Sequence, residues 1–246
     1  MMPDELRAAL IDDLDQLIRL HDRELDGETL RALQAVAFPA GLALAADGEC
    51  GELAYANLAA ALADLPAEPS QQLLDELAAD YAAIYLNNSL GASPYESVWL
   101  DDEHLACQRP MFELRETYAA AGFGAADWRQ RFDDHLVLQL HYLRHVLGAA
   151  AVDGEKLANF IDEHLGYWFP DFAGRVALAC ATPFYAALAE LTHVWLIRLR
   201  GALEEIYGYP VPERAVLAAR IQKKLTLDKA AVAPIHFMPG AQGPSW

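Results

Sequence analysis

His141 and His145 stand four residues apart in Leu140-His-Tyr-Leu-Arg-His145. On a helix that spacing places both imidazoles on one face, one turn apart, where they can share a metal ion with an acid supplied by the fold. Tyr142, however, occupies the position where a zinc protease carries its glutamate base. His135 lies upstream, and Glu163-His164 offers further ligands after folding. Two histidines alone are a weak motif, and a helical histidine is more often a hydrogen-bonded core or surface residue. Asp134-His135 is the second chemical pair, since a carboxylate beside an imidazole raises its basicity. Adjacent residues at a helix start point in different directions, and no clear nucleophile accompanies this pair. An N-cap role for Asp133 or Asp134 explains the cluster more simply.

Several chemistries are missing. No glycine-rich loop ends in Lys-Ser or Lys-Thr, and Gly154-Glu155-Lys156 is too short to cradle a phosphate. Gly122-Phe123-Gly124 is a fragment of a dinucleotide signature without a strand before it. There is no Gly-x-Ser-x-Gly elbow. No cofactor is expected, and an enzymatic reading is poorly supported. Against 18 Lys and Arg stand 36 Asp and Glu, for a net charge of −18. Such a surface repels nucleic acid and anionic lipid and attracts cationic partners. Residues 1–100 carry only Arg7, Arg19, Arg23 and Arg31 as bases, while Arg214, Arg220, Lys223, Lys224 and Lys229 fall late. Cys50, Cys107 and Cys180 are odd in number and widely spaced among apolar neighbours, which suits reduced, buried thiols. The acidic start Met1-Met2-Pro3-Asp4-Glu5 is unlike a signal peptide. The most apolar stretch, Val176 to Leu199, is interrupted by Thr182, Pro183, Glu190 and His193, as in core helices rather than a membrane span. A cytoplasmic protein without membrane insertion is expected.

The elements that must position these residues are helices. Phe184, Leu188, Leu191, Trp195, Leu199, Ala202 and Ile206 recur at steps of three and four, with Thr182 placed to cap the helix and Pro183 at its first position. Leu136, Leu140, Leu143 and Leu147 mark another, opened by Asp133-Asp134, whose charge favours a helix N-terminus. Leu73, Leu77, Tyr81 and Ile84 mark a third. A fourth runs from Pro110 through Met111, Leu114 and Tyr118 to Gly122. Shorter amphipathic pieces fill 4–24, 28–38, 49–63, 154–166, 171–180 and 212–227. No hairpin signal and no strand–helix alternation appears, so the fold is all-α.

Between Leu86 and Arg109 the helical period is lost, although Tyr95, Val98, Trp99 and Leu100 remain apolar. A long connection of this kind is usually functional or a linker, and tucking its aromatics into the core is an equal alternative. A shorter connection spans Phe123 to Phe132. The tail from Ala233 is rich in Pro and Gly, which predicts a loosely held end.

Asp80-Tyr81-Ala-Ala-Ile84-Tyr85 and Ser93-Pro94-Tyr95-Glu96-Ser97-Val98-Trp99-Leu100-Asp101 resemble the first signature of the TorD/DmsD family of redox-enzyme maturation chaperones. The helix ending Tyr118-Ala-Ala-Ala-Gly122-Phe123 is similar to the next element. Phe132-Asp133-Asp134-His135-Leu136 resembles the family's Pro-x-Asp-His segment, with Phe132 in place of proline and Arg131 in place of an acid. Phe160 to Leu165, Trp168 and Pro183 to Leu191 resemble the C-terminal helices. The similarity spans about 80 to 200. It implies a bundle of about ten helices in two parts joined by a hinge: 1–150 including the 86–109 loop, and 151–229. The tail, 230–246, has no counterpart in the resemblance, and its Pro and Gly content predicts a flexible end. The family implies a non-enzymatic chaperone that binds the twin-arginine leader or the apo form of a molybdopterin oxidoreductase catalytic subunit. Such a chaperone assists cofactor insertion and delays export. Some members form domain-swapped homodimers.

Carried over by resemblance, Asp134 and His135 lead the leader-binding set, followed by Tyr81, Tyr85, Leu86, Pro94, Tyr95, Ser97 and Trp99. Asp101, Asp102 and Asp134 can meet guanidinium groups, and Asp133 joins the peptide-binding set. In this reading 86–101 and 132–136 each form one wall of a groove, with Trp99 and Tyr95 giving apolar contact. Two other classes stay open: a helical metal-dependent enzyme using His141 and His145, and a purely structural domain-swapped oligomer.

Overall fold

A computed structural model describes residues 1–44, 47–124 and 131–231. Residues 125–130 of the second connection, and the tail from Ala233, lie outside the described residues. The described chain forms eleven α-helices: α1 (Asp4–Asp22), α2 (Gly27–Ala35), α3 (Glu49–Ala63), α4 (Gln71–Tyr81), α5 (Glu96–Leu100), α6 (Arg109–Ala120), α7 (Leu136–Leu147), α8 (Gly154–Glu163), α9 (Leu165–Ala179), α10 (Pro183–Tyr207) and α11 (Arg214–Ala231). No strand occurs among the described residues, as expected for an all-α chain. One isolated antiparallel bridge joins Tyr95 to His135. Residues 1–212 make one compact unit, and 213–246 a second that contains α11. No described helix is long and apolar enough to cross a membrane.

The apolar stripe of α10 explains its central place. Leu188, Leu191, Trp195 and Leu199 are all fully buried, and α10 packs against α3, α8 and α9, while α1 packs against α7. Burying each such side chain contributes roughly 1.5–3 kcal/mol. Polar residues fix the register of this packing. The Trp195 indole donates to Asp13 Oδ2 at 2.8 Å, and Asp13 also accepts from the Ala43 amide. Thr192 donates to the Leu188 carbonyl, so it accepts from His21 Nε2 at 2.9 Å, and His21 Nδ1 then accepts from the Tyr85 hydroxyl at 2.6 Å. Arg200 makes a bidentate pair with Asp162 at 2.8 and 3.0 Å and reaches the Tyr209 and Pro210 carbonyls. The start of α8 lies so close under Tyr207 that a Cβ at Gly154 would sit 2.6 Å from that ring.

Several expected details differ. The stripe from Leu73 to Ile84 is helical, but α4 widens into a π-turn, Ala82–Leu86, closed by a bond from the Asn87 amide to the Ala82 carbonyl. The 86–109 connection contains α5, too short to show a period. Thr182 is the N-cap residue of α10, yet its hydroxyl does not cap the helix. It donates instead to Asp80 Oδ2 at 2.6 Å, and Asp80 also takes the Ala181 and Thr182 amides. Neither Asp133 nor Asp134 caps α7; His135 does, accepting from the Val137 amide. Cys50 is exposed and Cys107 and Cys180 are half-buried, so none of the three free thiols is fully buried: Cys50 lies in the first turn of α3, Cys107 in the connection before α6, and Cys180, at the end of α9, packs against the core from its edge.

Asp80 therefore anchors α10 across 101 and 102 residues of sequence. Replacing it with alanine strands donors at the helix start, and Asp80→Ala is expected to lose about 2–4 kcal/mol of stability, read as a fall in the urea midpoint. Asp80→Asn keeps one acceptor and is expected to lose less.

Candidate functional site

The irregular 94–97 segment is held by direct pairing to the start of α7. The Leu136 amide donates to the Pro94 carbonyl at 2.8 Å, and the Glu96 amide to the Asp134 carbonyl at 3.1 Å. Asp134 Oδ2 accepts from the Ser97 amide at 2.9 Å, and Ser97 Oγ accepts from the Gln108 amide at 3.2 Å. The two segments are thus paired side by side.

Beneath it lies a buried polar network. Glu96 is 1% exposed. Its carboxylate accepts from His164 Nδ1 at 2.9 and 3.1 Å and from Gln139 Nε2 at 3.0 Å. Gln139 Nε2 also donates to the Asp134 carbonyl, and Gln139 Oε1 accepts from the Trp168 indole at 3.3 Å. Burial pushes the Glu96 carboxyl above its usual range, and His164 pulls it back. Asp134 is fully buried, and burial raises it too against the opposing Ser97 bonds. Its Oδ1 is buried with no hydrogen-bond partner. His135 is pushed down to about 3 by burial first, then by Arg131 and His21. Its Nδ1 accepts from Val137, so the neutral ring carries its proton on Nε2.

The residues expected to bind a partner therefore separate by depth. Pro94, Ser97, Asp133, Asp134 and His135 are brought together and buried. Asp133 accepts from Arg115 Nε at 2.8 Å, and its carbonyl from the Tyr118 hydroxyl. Tyr95 is half-buried, with its ring 5.6 Å from Phe132 and 4.9 Å from His135. Trp99, also half-buried, donates to the Ser93 carbonyl at 2.8 Å and stands edge-on to Phe172. Asp101 Oδ2 accepts from the Glu103 and Leu105 amides and shapes the following turn, while Asp102 is exposed. Tyr81 and Tyr85 are instead core residues: Tyr81 donates to the Asp22 carbonyl and Tyr85 to His21. Leu86, at the end of the π-turn, is 69% exposed, and Phe132 is 42% exposed.

Glu96, Gln139, His164 and Trp168 organise this site without having been singled out for it. The available signal was a glutamine inside the apolar run Leu136-Val-Leu-Gln-Leu140, which requires a buried partner. His145 Nε2 lies 3.0 Å from the Ala121 carbonyl, so that nitrogen carries a proton and cannot ligate a metal. Among the described residues no three His, Cys, Asp or Glu side chains are grouped to hold a metal ion.

Residues 47–174, which contain the whole Glu96–Asp134–His164 network, match the family model described as nitrate reductase delta subunit. The chain is 32% identical over 193 residues to the chaperone protein TorD of Shewanella piezotolerans, covering 73% of this chain and 85% of that one. It is 28% identical over 204 residues to the protein of the same name from Shewanella pealeana, covering 78% and 87%. A third, from Vibrio cholerae, is 30% identical over 141 residues, covering 53% and 64%.

The buried imidazoles make stability depend on pH with a defined sign. His21 and His135 are both held near 3 in the folded chain against 6.5 when unfolded. Between those values the unfolded chain binds the extra protons, so this contribution is complete above about pH 6.5 and is lost as the pH falls toward 3. Glu96 and Asp134 act in the opposite sense, because a raised carboxyl takes its proton more readily when folded. His135→Asn keeps a capping acceptor and removes one imidazole. It is expected to flatten the fall of the urea midpoint between pH 7 and 4.5, and an unchanged slope would contradict the assignment.

Proposed function

We propose, because the chain belongs to the TorD/DmsD family of molybdoenzyme maturation chaperones, that the surface formed by 94–105 and Phe132 receives the basic leader of a molybdopterin oxidoreductase catalytic subunit. The relatives bear the name of a chaperone, a non-enzymatic role, and this chain shares it. In this reading the protein holds the apo catalytic subunit in the cytoplasm, assists cofactor insertion and delays export until insertion is complete.

The observation that carries the proposal is an aromatic ledge, with Phe132 exposed and Tyr95 and Trp99 half-buried, backed by the buried network of Glu96, Gln139 and His164. Phe132 lies against Tyr95, with Trp99 one turn farther along α5 and Asp101 and Asp102 at its end. A leader combines a basic segment with a modestly apolar one, and this ledge offers both complements. Exposed ion pairs contribute only about 0–1 kcal/mol each, so affinity rests mainly on the aromatic contacts, and charge chiefly accelerates encounter. The buried Asp134 and His135 act here as positioning residues: they hold the ledge and do not touch the peptide.

Isothermal titration with a synthetic twin-arginine leader tests this. Saturable one-site binding is expected, weakening with salt. Phe132→Ser is expected to reduce affinity about tenfold or more with little change in the urea midpoint, because the ring is already half in water. Binding only to the cofactor-free subunit, and not to the leader, would move the function to cofactor insertion. Leader binding indifferent to Phe132→Ser and to Trp99→Ala would place the site elsewhere.

A further inference from the structure

Charge is distributed unevenly along this acidic chain. Residues 213–246 carry Arg214, Arg220, Lys223, Lys224 and Lys229 against only Glu213 and Asp228, although the whole chain has a net charge of −18. Lys223-Lys224 is the only place in the sequence where two Lys or Arg residues adjoin. Soon after it comes an uncharged apolar run, Ala230-Ala-Val-Ala-Pro-Ile235. The pair lies in α11, where Arg220 and Lys223 are exposed and Leu217 and Ile221 are buried. The ledge formed by 94–105 and Phe132 has the complementary composition. Its Asp101-Asp102-Glu103 is the only run of three acids in the sequence, and Asp102 and Glu103 are exposed. Leu105 and Phe132 expose apolar area on the same ledge.

We propose that the 220–235 segment of one copy of this chain docks on the ledge of a second copy, in the place a client leader takes. The inference rests on the leader reading of that ledge and adds its regulation. Segment and leader share one order of chemistry, adjacent cations and then a modestly apolar stretch, so a surface that suits one suits the other. Each chain carries both halves, and two copies that exchange segments reciprocally close as a symmetric pair. The contact is weak by construction, because exposed ion pairs contribute only about 0–1 kcal/mol each. Lysine also presents a strongly hydrated point charge where arginine presents a planar fork that pairs with both oxygens of a carboxylate. The chain's own segment therefore covers the ledge between clients, and a twin-arginine leader displaces it.

The test begins with fluorescence anisotropy of a labelled synthetic peptide of residues 218–235 titrated with the full chain. Saturable binding is expected, reversed by unlabelled twin-arginine leader. It is expected to weaken about five-fold or more with Phe132→Ser in the protein, or with Lys223→Gln and Lys224→Gln together in the peptide. Sedimentation velocity of the full chain is then expected to show a dimer that grows with concentration and dissociates when leader is added. The double variant Lys223→Gln, Lys224→Gln keeps good helix formers in α11. It is expected to stay monomeric and to bind leader about three-fold more tightly at high protein concentration, where the wild-type ledge is occupied. Peptide binding without leader binding would uphold the docked segment and overturn the leader reading alone. Leader binding at the ledge without peptide binding would overturn this proposal alone. So would a chain that is monomeric at every concentration, or a dimer indifferent to both leader and Phe132→Ser.

Discussion

A carboxylate taken out of water has to be met by donors, and Glu96 is met from two directions. His164 reaches it from the junction of α8 and α9, and Gln139 from α7. Breaking such an arrangement on one side leaves a buried charge that costs about 3–5 kcal/mol, so the three elements are bound to one geometry. That geometry fixes everything the 94–105 segment does. Once Glu96 is held, its amide and that of Ser97 fall against Asp134, and the start of α7 is paired to a segment with almost no regular structure of its own. The exposed ring of Phe132 rests on this base.

The same use of acids recurs through the bundle. Asp13, Asp80 and Asp162 each tie residues far apart in sequence, taking respectively an indole with a loop amide, the start of α10, and the guanidinium of Arg200. The excess of Asp and Glu is therefore not spent wholly on surface charge. A few are interior fasteners, each with its lone pairs matched by backbone or side-chain donors, which is the condition for burying them at tolerable cost. The remainder give the chain its net charge of −18.

The helices were legible because burial along a helix writes a period of three and four into the sequence, and α1, α3, α6, α7 and α10 fall within a few residues of their expected spans. α5 was not, since five residues are too few to show a period. The caps misled for a different reason. A threonine or aspartate before a helix advertises a local bond, but Thr182 turns to Asp80, and Asp133 turns to Arg115. Local sequence carries the capacity for a hydrogen bond; the fold decides its recipient. Asp134 and His135 stood out by resemblance to a known family, yet that resemblance could not say whether they face solvent or lie beneath the surface. Glu96 and Gln139 are 43 residues apart, and no spacing rule connects them.

The π-turn at 82–86 sets an angular phase for the chain beyond it. An α-helix advances about 100° per residue, and a π-turn absorbs one extra residue without extending the helix by a full step. With Tyr81 and Tyr85 both held in the core, one to the Asp22 carbonyl and the other to His21, that extra residue is accommodated between two fixed points. Shortening the turn by one residue would rotate everything beyond it by about 100° relative to those anchors. Leu86 would leave its outward bearing, and the chain would depart toward the 94–97 segment along another azimuth. In this protein a single local miscount of helical residues aims the whole irregular segment.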